Sequence, residues 1–432
     1  MASYTNIPYA TIVTVSIVPA ILYFLSVAFI VRIEAMKYDA GSEIDLTIDK
    51  GKLLSGGLVF VIPLTVMIWM LLGGVTPAFA ACWAIAALIV TSWVTSLLTV
   101  VMPKGLFKPV AMGSKKIAEA LTSGIQSSIM TAILLVTIGI MNNAIVTSGV
   151  GNSFSLMIAQ WSQGSMVLAI ALIGLVSLIL GMGLPVTAAY IILAILTAPA
   201  LAGIMSDTLI VDQLVTGVAD PAKSALFFLV DHPNVAKIAE GMTRPEAWDL
   251  VAAIPFEIAV TIRPALIDPS VAVTFLLIAH LIVFWLSQDS NVTPPVCLAA
   301  FTAAGIAGSK PMATGFESWK IAKGLYIVPL MFAYTPLISG EFWQVMQVGF
   351  FGLFGIYAAN ALIQQYSEGP VGILEIVALI AGAALAFWPL NLLANLGGAV
   401  LVILVILRTR SRAKKTPASA FKRSGDVDMK TR

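Results

Sequence analysis

Long apolar runs alternate along the chain with short polar breaks. The runs occupy about 11–31, 53–72, 78–101, 124–148, 164–181 and 186–203, then about 270–286, 319–339, 341–363 and 371–407. The first nine are each long enough to cross roughly 30 Å of hydrocarbon as a helix. The tenth is too long for one crossing, and "FWPLNLLANLGG" at Phe387–Gly398 predicts two helices there, or one kinked helix. The stretch 296–307 is too brief to cross alone. None of the runs alternates apolar with polar residues as the strands of a membrane barrel do. The pattern predicts an all-α polytopic membrane protein with about 10–11 transmembrane helices.

Two breaks carry more than turn chemistry. In "GMGLPVTAAY", Gly181 and Gly183 let the chain turn, Pro185 suits the first turn of a new helix, and Thr187 projects a hydroxyl from its start. In "SQDSNVTPPVCLAA", the polar residues Asp289, Ser290 and Asn291 precede Thr293, Pro294 and Pro295, and an apolar run follows. Irregular backbone at membrane depth is tolerated only inside protein or beside a cavity. One reading of each break is a water-facing turn. The other is a discontinuous helix whose free amides face an anion and whose carbonyls and hydroxyls ligate Na⁺. Two such breaks, each followed by a threonine-containing helix start, favour the second. Asp289 in particular is costly in a membrane without a partner or a cation.

Composition fixes the medium. Of the 432 residues 59% are hydrophobic and 11% charged, and the mean hydropathy is +0.97. Soluble domains carry about 25% charged residues, so this chain belongs in a lipid bilayer. The sequence from Leu407 onward holds nine of the 24 basic residues against Asp426 and Asp428. By the positive-inside rule that end is cytoplasmic, and it reads as a disordered tail over 408–432. Lys104, Lys108, Lys115 and Lys116 put the connection 102–121 on the same side.

The segment 204–269 departs from the rest, with nine acidic residues against Lys223, Lys237, Arg244 and Arg263. It reads as an extramembrane or interfacial insertion. Within it Thr243 is placed to cap a helix with Pro245 and Glu246 in the first turn. The organisation expected is scaffold or connecting helices over 1–163, a region of broken helices over 164–340, C-terminal membrane helices over 341–407, and the tail.

Enzyme chemistry has no foothold. Cys82 and Cys297 lie in apolar runs, neither His232 nor His280 has an acidic or histidine neighbour at metal-ligand spacing, and no phosphate-binding or dinucleotide loop is present. His280 reads as a packed or hydrogen-bonded helix residue. Glu375, near the start of the final apolar region, either snorkels to the interface or pairs internally. No cofactor and no nucleic acid is implied.

The long motifs "GMGLPVTAAYIILAILTAPAL", "NVTPPVCLAAFTAAGIAG" and "PMATGFESWKIAKGLYIVPLMFAYTPLI" resemble the large membrane subunit of tripartite ATP-independent periplasmic (TRAP) transporters, most nearly the TAXI type. The likeness extends over nearly the whole chain, including "TNIPYATIVTVSIVPAILYF" near its start. It implies a secondary transporter of a bacterial inner membrane, driven by a Na⁺ gradient. A periplasmic solute-binding receptor would deliver a carboxylate-bearing organic acid to an elevator domain, which is held by a scaffold that includes a small membrane subunit. It further implies that Gly181, Gly183, Pro185 and Thr187 match one break of the second of two inverted repeats. Asn291, Thr293, Pro294 and Pro295 match the tip of that repeat's re-entrant hairpin, and Thr187 and Thr293 become the Na⁺ candidates. Pro185 stands where other branches often carry an acidic residue, so no charge-based role is assigned to it. The family pattern places a first repeat ahead of the "IPYATIV" stretch. The expectation is therefore a partial elevator-type fold that does not transport alone, with a separately encoded N-terminal half as a further partner. The alternative is a non-transporting scaffold or remnant.

Overall fold

A computed structural model describes residues 1–38, 50–101, 112–181, 184–218, 221–230, 232–238, 240–254, 256–295 and 297–415. Among the described residues the chain is helical throughout, and the only β feature is an isolated bridge between Tyr366 and Pro370. It divides into two compact units, Ala2–Thr14 with Gly41–Ile140, and Met1 and Val15–Ala40 with Met141–Arg432.

The first unit holds α1 (Ala2–Thr5), the start of α2 (Tyr9–Tyr38), α3 (Lys50–Leu72), α4 (Pro77–Val101) and most of α5 (Ser114–Ser148). The helices α3 and α4 form a hairpin around Gly74, whose φ of 79° is the left-handed conformation that favours glycine. On α4 the Trp93 indole donates to the Met112 carbonyl at 2.9 Å, and Ser92 Oγ accepts from the Met112 amide at 2.8 Å. Phe60, Trp69, Leu97 and Ile140 are exposed, as suits side chains solvated by lipid.

The second unit continues α2 and adds α6 (Val150–Ser162), α7 (Met166–Gly181), α8 (Val186–Thr216), α9 (Pro221–Ser224), α10 (Arg244–Ala252), α11 (Phe256–Leu266) and α12 (Pro269–Ser287). After these come α13 (Leu298–Ala307), α14 (Pro311–Ile321), α15 (Gly324–Tyr334), α16 (Phe342–Gln364), α17 (Ile373–Ala386) and α18 (Leu392–Lys415). Its centre is the pairing of α8 with α12, against which α7 and α15 pack. There His280 is buried and its Nδ1 lies 2.9 Å from the Tyr190 hydroxyl, a packed and hydrogen-bonded helix residue as expected.

Six helices among the described residues are long and apolar enough to cross a membrane, which makes this a multi-pass membrane protein. They are α2, α4 through Leu98, α8, the run Pro269–Asn291, α16 and α18 through Ala413. The ten or eleven crossings expected from the runs exceed this number. At about 1.5 Å per residue, the 16 residues of α7 and the 14 of α17 fall short of a straight crossing. The run 319–339 is not one helix but parts of α14 and α15, which join at Ala322 and Lys323.

Two further corrections concern polar stretches. Thr137–Ser155 lies within the region expected to connect helices. Instead α5 runs to Ser148, a single left-handed Gly149 follows, and α6 starts at once. The insertion also begins later than 204, because α8 continues to Thr216. Beyond it the chain folds onto its own core, in which Val211, Phe227, Leu250 and Ile267 are at most 1% exposed. The expected cap is present. Thr243 starts α10, and Glu246 accepts from its amide at 2.9 Å and its hydroxyl at 2.8 Å. Three of the segment's acidic residues form ion pairs within it and with α8, as Asp212–Arg244, Glu246–Lys237 and Asp207–Arg263.

At the C-terminal end, α17 and α18 form the predicted pair of helices. Asn395 Nδ2 donates to the carbonyls of Leu385, Ala386 and Trp388, supplying partners where α17 ends. A Cβ on Gly398 would stand 2.7 Å from the Gly382 carbonyl oxygen, so the two backbones touch as small-residue membrane interfaces allow. Glu375 pairs internally, accepting from Arg412 at 2.7 Å, Arg408 at 3.0 Å and the Gly372 amide at 3.1 Å. The basic residues from Arg408 to Lys415 are therefore helical, and residues 416–432 lie outside the described residues.

Candidate functional site

The helix α12 is apolar from Val271 to Leu286, apart from Thr274 and His280, and then meets Ser287, Gln288 and Asp289. There it tightens into a 3-10 turn over Gln288–Asn291. Asp289 is 1% exposed. Its Oδ1 accepts from the Thr293 hydroxyl at 2.6 Å, while Oδ2 is buried with no protein hydrogen-bond partner. Ser290 Oγ is likewise buried and unpartnered. A buried carboxylate that lacks a donor on one oxygen is costly.

Helices on both sides hold this turn. The end of α7 lies against it so closely that a Cβ on Gly181 would stand 3.0 Å from Ser290 Cβ and 3.2 Å from its Cα. The start of α8 packs on the same turn. On the far side, a Cβ on Gly315 of α14 would lie 2.7 Å from Cys297 Sγ and 3.1 Å from Pro294 Cγ. The peptide between Pro294 and Pro295 is cis. The two sequence breaks thus meet: Gly181 with Ser290, and α8 with the turn that carries Asp289.

The individual residues fall out unevenly. Pro185 is the residue before α8 rather than within its first turn, with extended backbone at φ −64° and ψ 154°. Thr187 is exposed on that first turn, whereas Asn291, Thr293 and Pro294 are half-buried and Pro295 is exposed. Gly183 lies outside the described residues. Three residues absent from the sequence expectations also face the site. Lys323 and Tyr326 are close enough to Asp289 to feel its charge. The Tyr326 hydroxyl accepts from the Trp319 indole at 3.0 Å. The Lys323 ammonium sits 3.5 Å over the Trp319 ring, a cation–π contact. Trp319 lies on α14, Lys323 at the joint and Tyr326 on α15, so the turn between the two helices brings them together.

Among the described residues no three His, Cys, Asp or Glu side chains converge as a metal centre. The polar groups at the turn are instead single oxygens in an apolar wall, an arrangement suited to holding a small ion or solute weakly. The family comparison points the same way. Residues 1–338 match the family profile of the tripartite ATP-independent periplasmic transporter, DctM component. The chain belongs to that family. The matched region takes in both breaks and ends at Ile338, ahead of α16–α18, so the likeness covers less than the nearly whole chain expected from the motifs. No curated protein and no solved structure matched the chain. Membership makes this a TRAP permease, a transport component and not an enzyme. Systems of this family typically join such a permease to a solute-binding protein and a small membrane subunit.

Proposed function

We propose that the chain is the permease subunit of a Na⁺-driven secondary transporter of the TAXI type. It takes a carboxylate-bearing solute from a periplasmic receptor and carries it across a bacterial inner membrane by an elevator motion. The observation that carries this reading is Asp289: a carboxylate at the end of a membrane-length helix, with one oxygen held by Thr293 and the other unpartnered. A monovalent cation at Oδ2 offsets the cost of that charge, and Thr293 and Ser290 add neutral oxygens without adding further charge. Thr187, exposed on the first turn of α8, is the second hydroxyl in reach of a bound ion or solute. Gly181, Pro185, Asn291, Pro294 and Pro295 shape the backbone around them. The small membrane subunit completes the scaffold, and the basic end of α18 faces the cytoplasm.

Reconstitution into sealed vesicles with receptor, small subunit, the separately encoded N-terminal half and an inward Na⁺ gradient tests the reading. Uptake should require the gradient and should fall at least tenfold in Asp289→Asn. Uptake indifferent to Na⁺ would overturn the coupling ion, and unchanged uptake by Asp289→Asn would overturn the site. A reporter fused after residue 432 that is active only outside the cytoplasm would overturn the orientation.

A further inference from the structure

A cavity lies away from the two breaks, along the same helices. Its volume is about 430 Å³, and it is bounded by α6, the middle of α8, α11 and the first turns of α12. Small residues on each helix create it: Ala159, Ala202, Gly203, Ala259 and Ala272. Pro199 within α8 and Pro264 within α11 interrupt regular helix bonding at its edges. A Cβ on Gly203 would meet nothing within 4 Å, so the space is open at that point.

The wall is mainly apolar, and most of its polar side chains are already paired. Ser155 Oγ donates to the Leu196 carbonyl at 2.7 Å, and Ser206 Oγ to the Ala202 carbonyl at 2.8 Å. Arg263 engages Asp207 in a two-pronged pair at 2.6 and 2.9 Å. None of the buried polar atoms left without a partner among the described residues lies on this wall. Water needs two to four polar partners to occupy a cavity, and a purely apolar cavity of about 150 Å³ takes up benzene instead. This one is larger, and most of its lining residues are apolar, with Asn152 the polar side chain exposed on it. It also borders two membrane-length helices, α8 and α12, and Val273 on its rim is exposed. An apolar rim on membrane-length helices is solvated by hydrocarbon wherever it lies at membrane depth. Unfilled space forfeits dispersion contacts on every lining atom, and a lipid tail restores them without stripping water from any polar group.

We infer that this cavity is a binding site for the acyl chain of an amphiphile drawn from the membrane. It is separate from the transport reading and stands or falls without it. Much of its wall comes from α11 and the far half of α8, the part of the chain whose length sets the segment 204–269 apart.

Gly203→Phe is the diagnostic change, because the new ring occupies the open space and replaces a glycine by a better helix former. The full chain, purified in mild detergent, is labelled with a phospholipid or a free fatty acid that carries a photoreactive group on the chain. Peptides that contain Val273 and Leu276 should be labelled, and excess unlabelled lipid should suppress that labelling. Gly203→Phe should reduce it about tenfold while Gly203→Ala retains it. Labelling by the phospholipid alone, by the fatty acid alone or by both names the source, and each supports the site. Labelling that excess lipid does not suppress overturns the site, as does labelling unchanged in a monodisperse Gly203→Phe. Should Gly203→Phe aggregate, Gly203→Leu and the wild-type competition decide.

Discussion

Replacing Thr293 with valine keeps the side chain's shape and exchanges its hydroxyl for a methyl. In the native protein that hydroxyl donates to Oδ1 of the buried Asp289 carboxylate at 2.6 Å. A hydrogen bond to a charged group contributes about 1.5–3 kcal/mol net, and an orphaned buried charge costs at the upper end of that range. Asp289 is 1% exposed, so water does not take over the vacated position. Thr293→Val should therefore destabilise the fold by about 2–3 kcal/mol in Na⁺-free buffer. With Asp289→Asn already present the charge is gone, and the same change should cost about 1 kcal/mol or less. The coupling energy is then about 1–2 kcal/mol, within the range found for residues in direct contact. Equilibrium unfolding in mixed micelles on the four proteins gives the number, with Thr293→Ser as the control that keeps the hydroxyl. A coupling below about 0.5 kcal/mol would refute the reasoning, since independent sites add to within that margin. The proposed ion gives a second handle. Na⁺ at ten times its dissociation constant should stabilise the wild type by about 1.4 kcal/mol through linkage, and Asp289→Asn should lose that response.

Three further outcomes follow from particular contacts. Glu375→Ala should cost about 1–2 kcal/mol, less than a deeply buried pair, because Arg408 and Arg412 are 58% and 43% exposed and return to water; Glu375→Gln should cost less in the same micelle titration, and equality of the two would refute a role for the Gly372 cap. Glu246 is held down to about 2 by Lys237 and by the Thr243 hydroxyl and amide, so its contribution is present above about pH 4.5 and is lost as pH falls from there toward 2; amide exchange in α10 should quicken over that window in the wild type and not in Glu246→Gln. Gly181→Ala should displace the Ser290 turn and lower Na⁺-driven uptake, whereas Gly174→Ala on the same helix, with 3.9 Å of clearance to Leu286, should not; equal uptake by the two variants would separate the turn from transport.

Local punctuation was the part of this fold that the sequence made plain. Thr243, Pro245 and Glu246 announced α10, and Phe387–Gly398 announced the split between α17 and α18, because caps and breaks are settled within one or two turns of chain. The misreadings came where partners are distant. The polar residues of Thr137–Ser155 read as a connection, but Ser155 bonds across to α8, 41 residues away, and α6 is helical. Asp207 and Asp212 lie on the continuation of α8, where Arg263 and Arg244 come back to meet them. A charge pattern along one dimension does not say which charges will be neutralised in three.

The candidate site shows the same division from the other side. That Asp289 would need a partner follows from its surroundings alone, since a carboxylate after a run of apolar helix has no water to turn to. Which partner it finds does not. Thr293 is four residues on and bonds to it, so that half of the answer was local. Lys323 offers a full opposite charge, yet its ammonium rests on the Trp319 ring, and Oδ2 is left without a hydrogen bond. Glu375 makes the contrast: a carboxylate on another apolar helix, it collects two arginines and a backbone amide and has no buried orphan atom. Two acidic residues in similar sequence surroundings thus meet opposite ends, one fully satisfied and one held half-satisfied by its neighbours. An oxygen kept short of a partner inside a membrane protein can accept a cation and release it again. A fully paired carboxylate such as Glu375 would first have to give up its arginines.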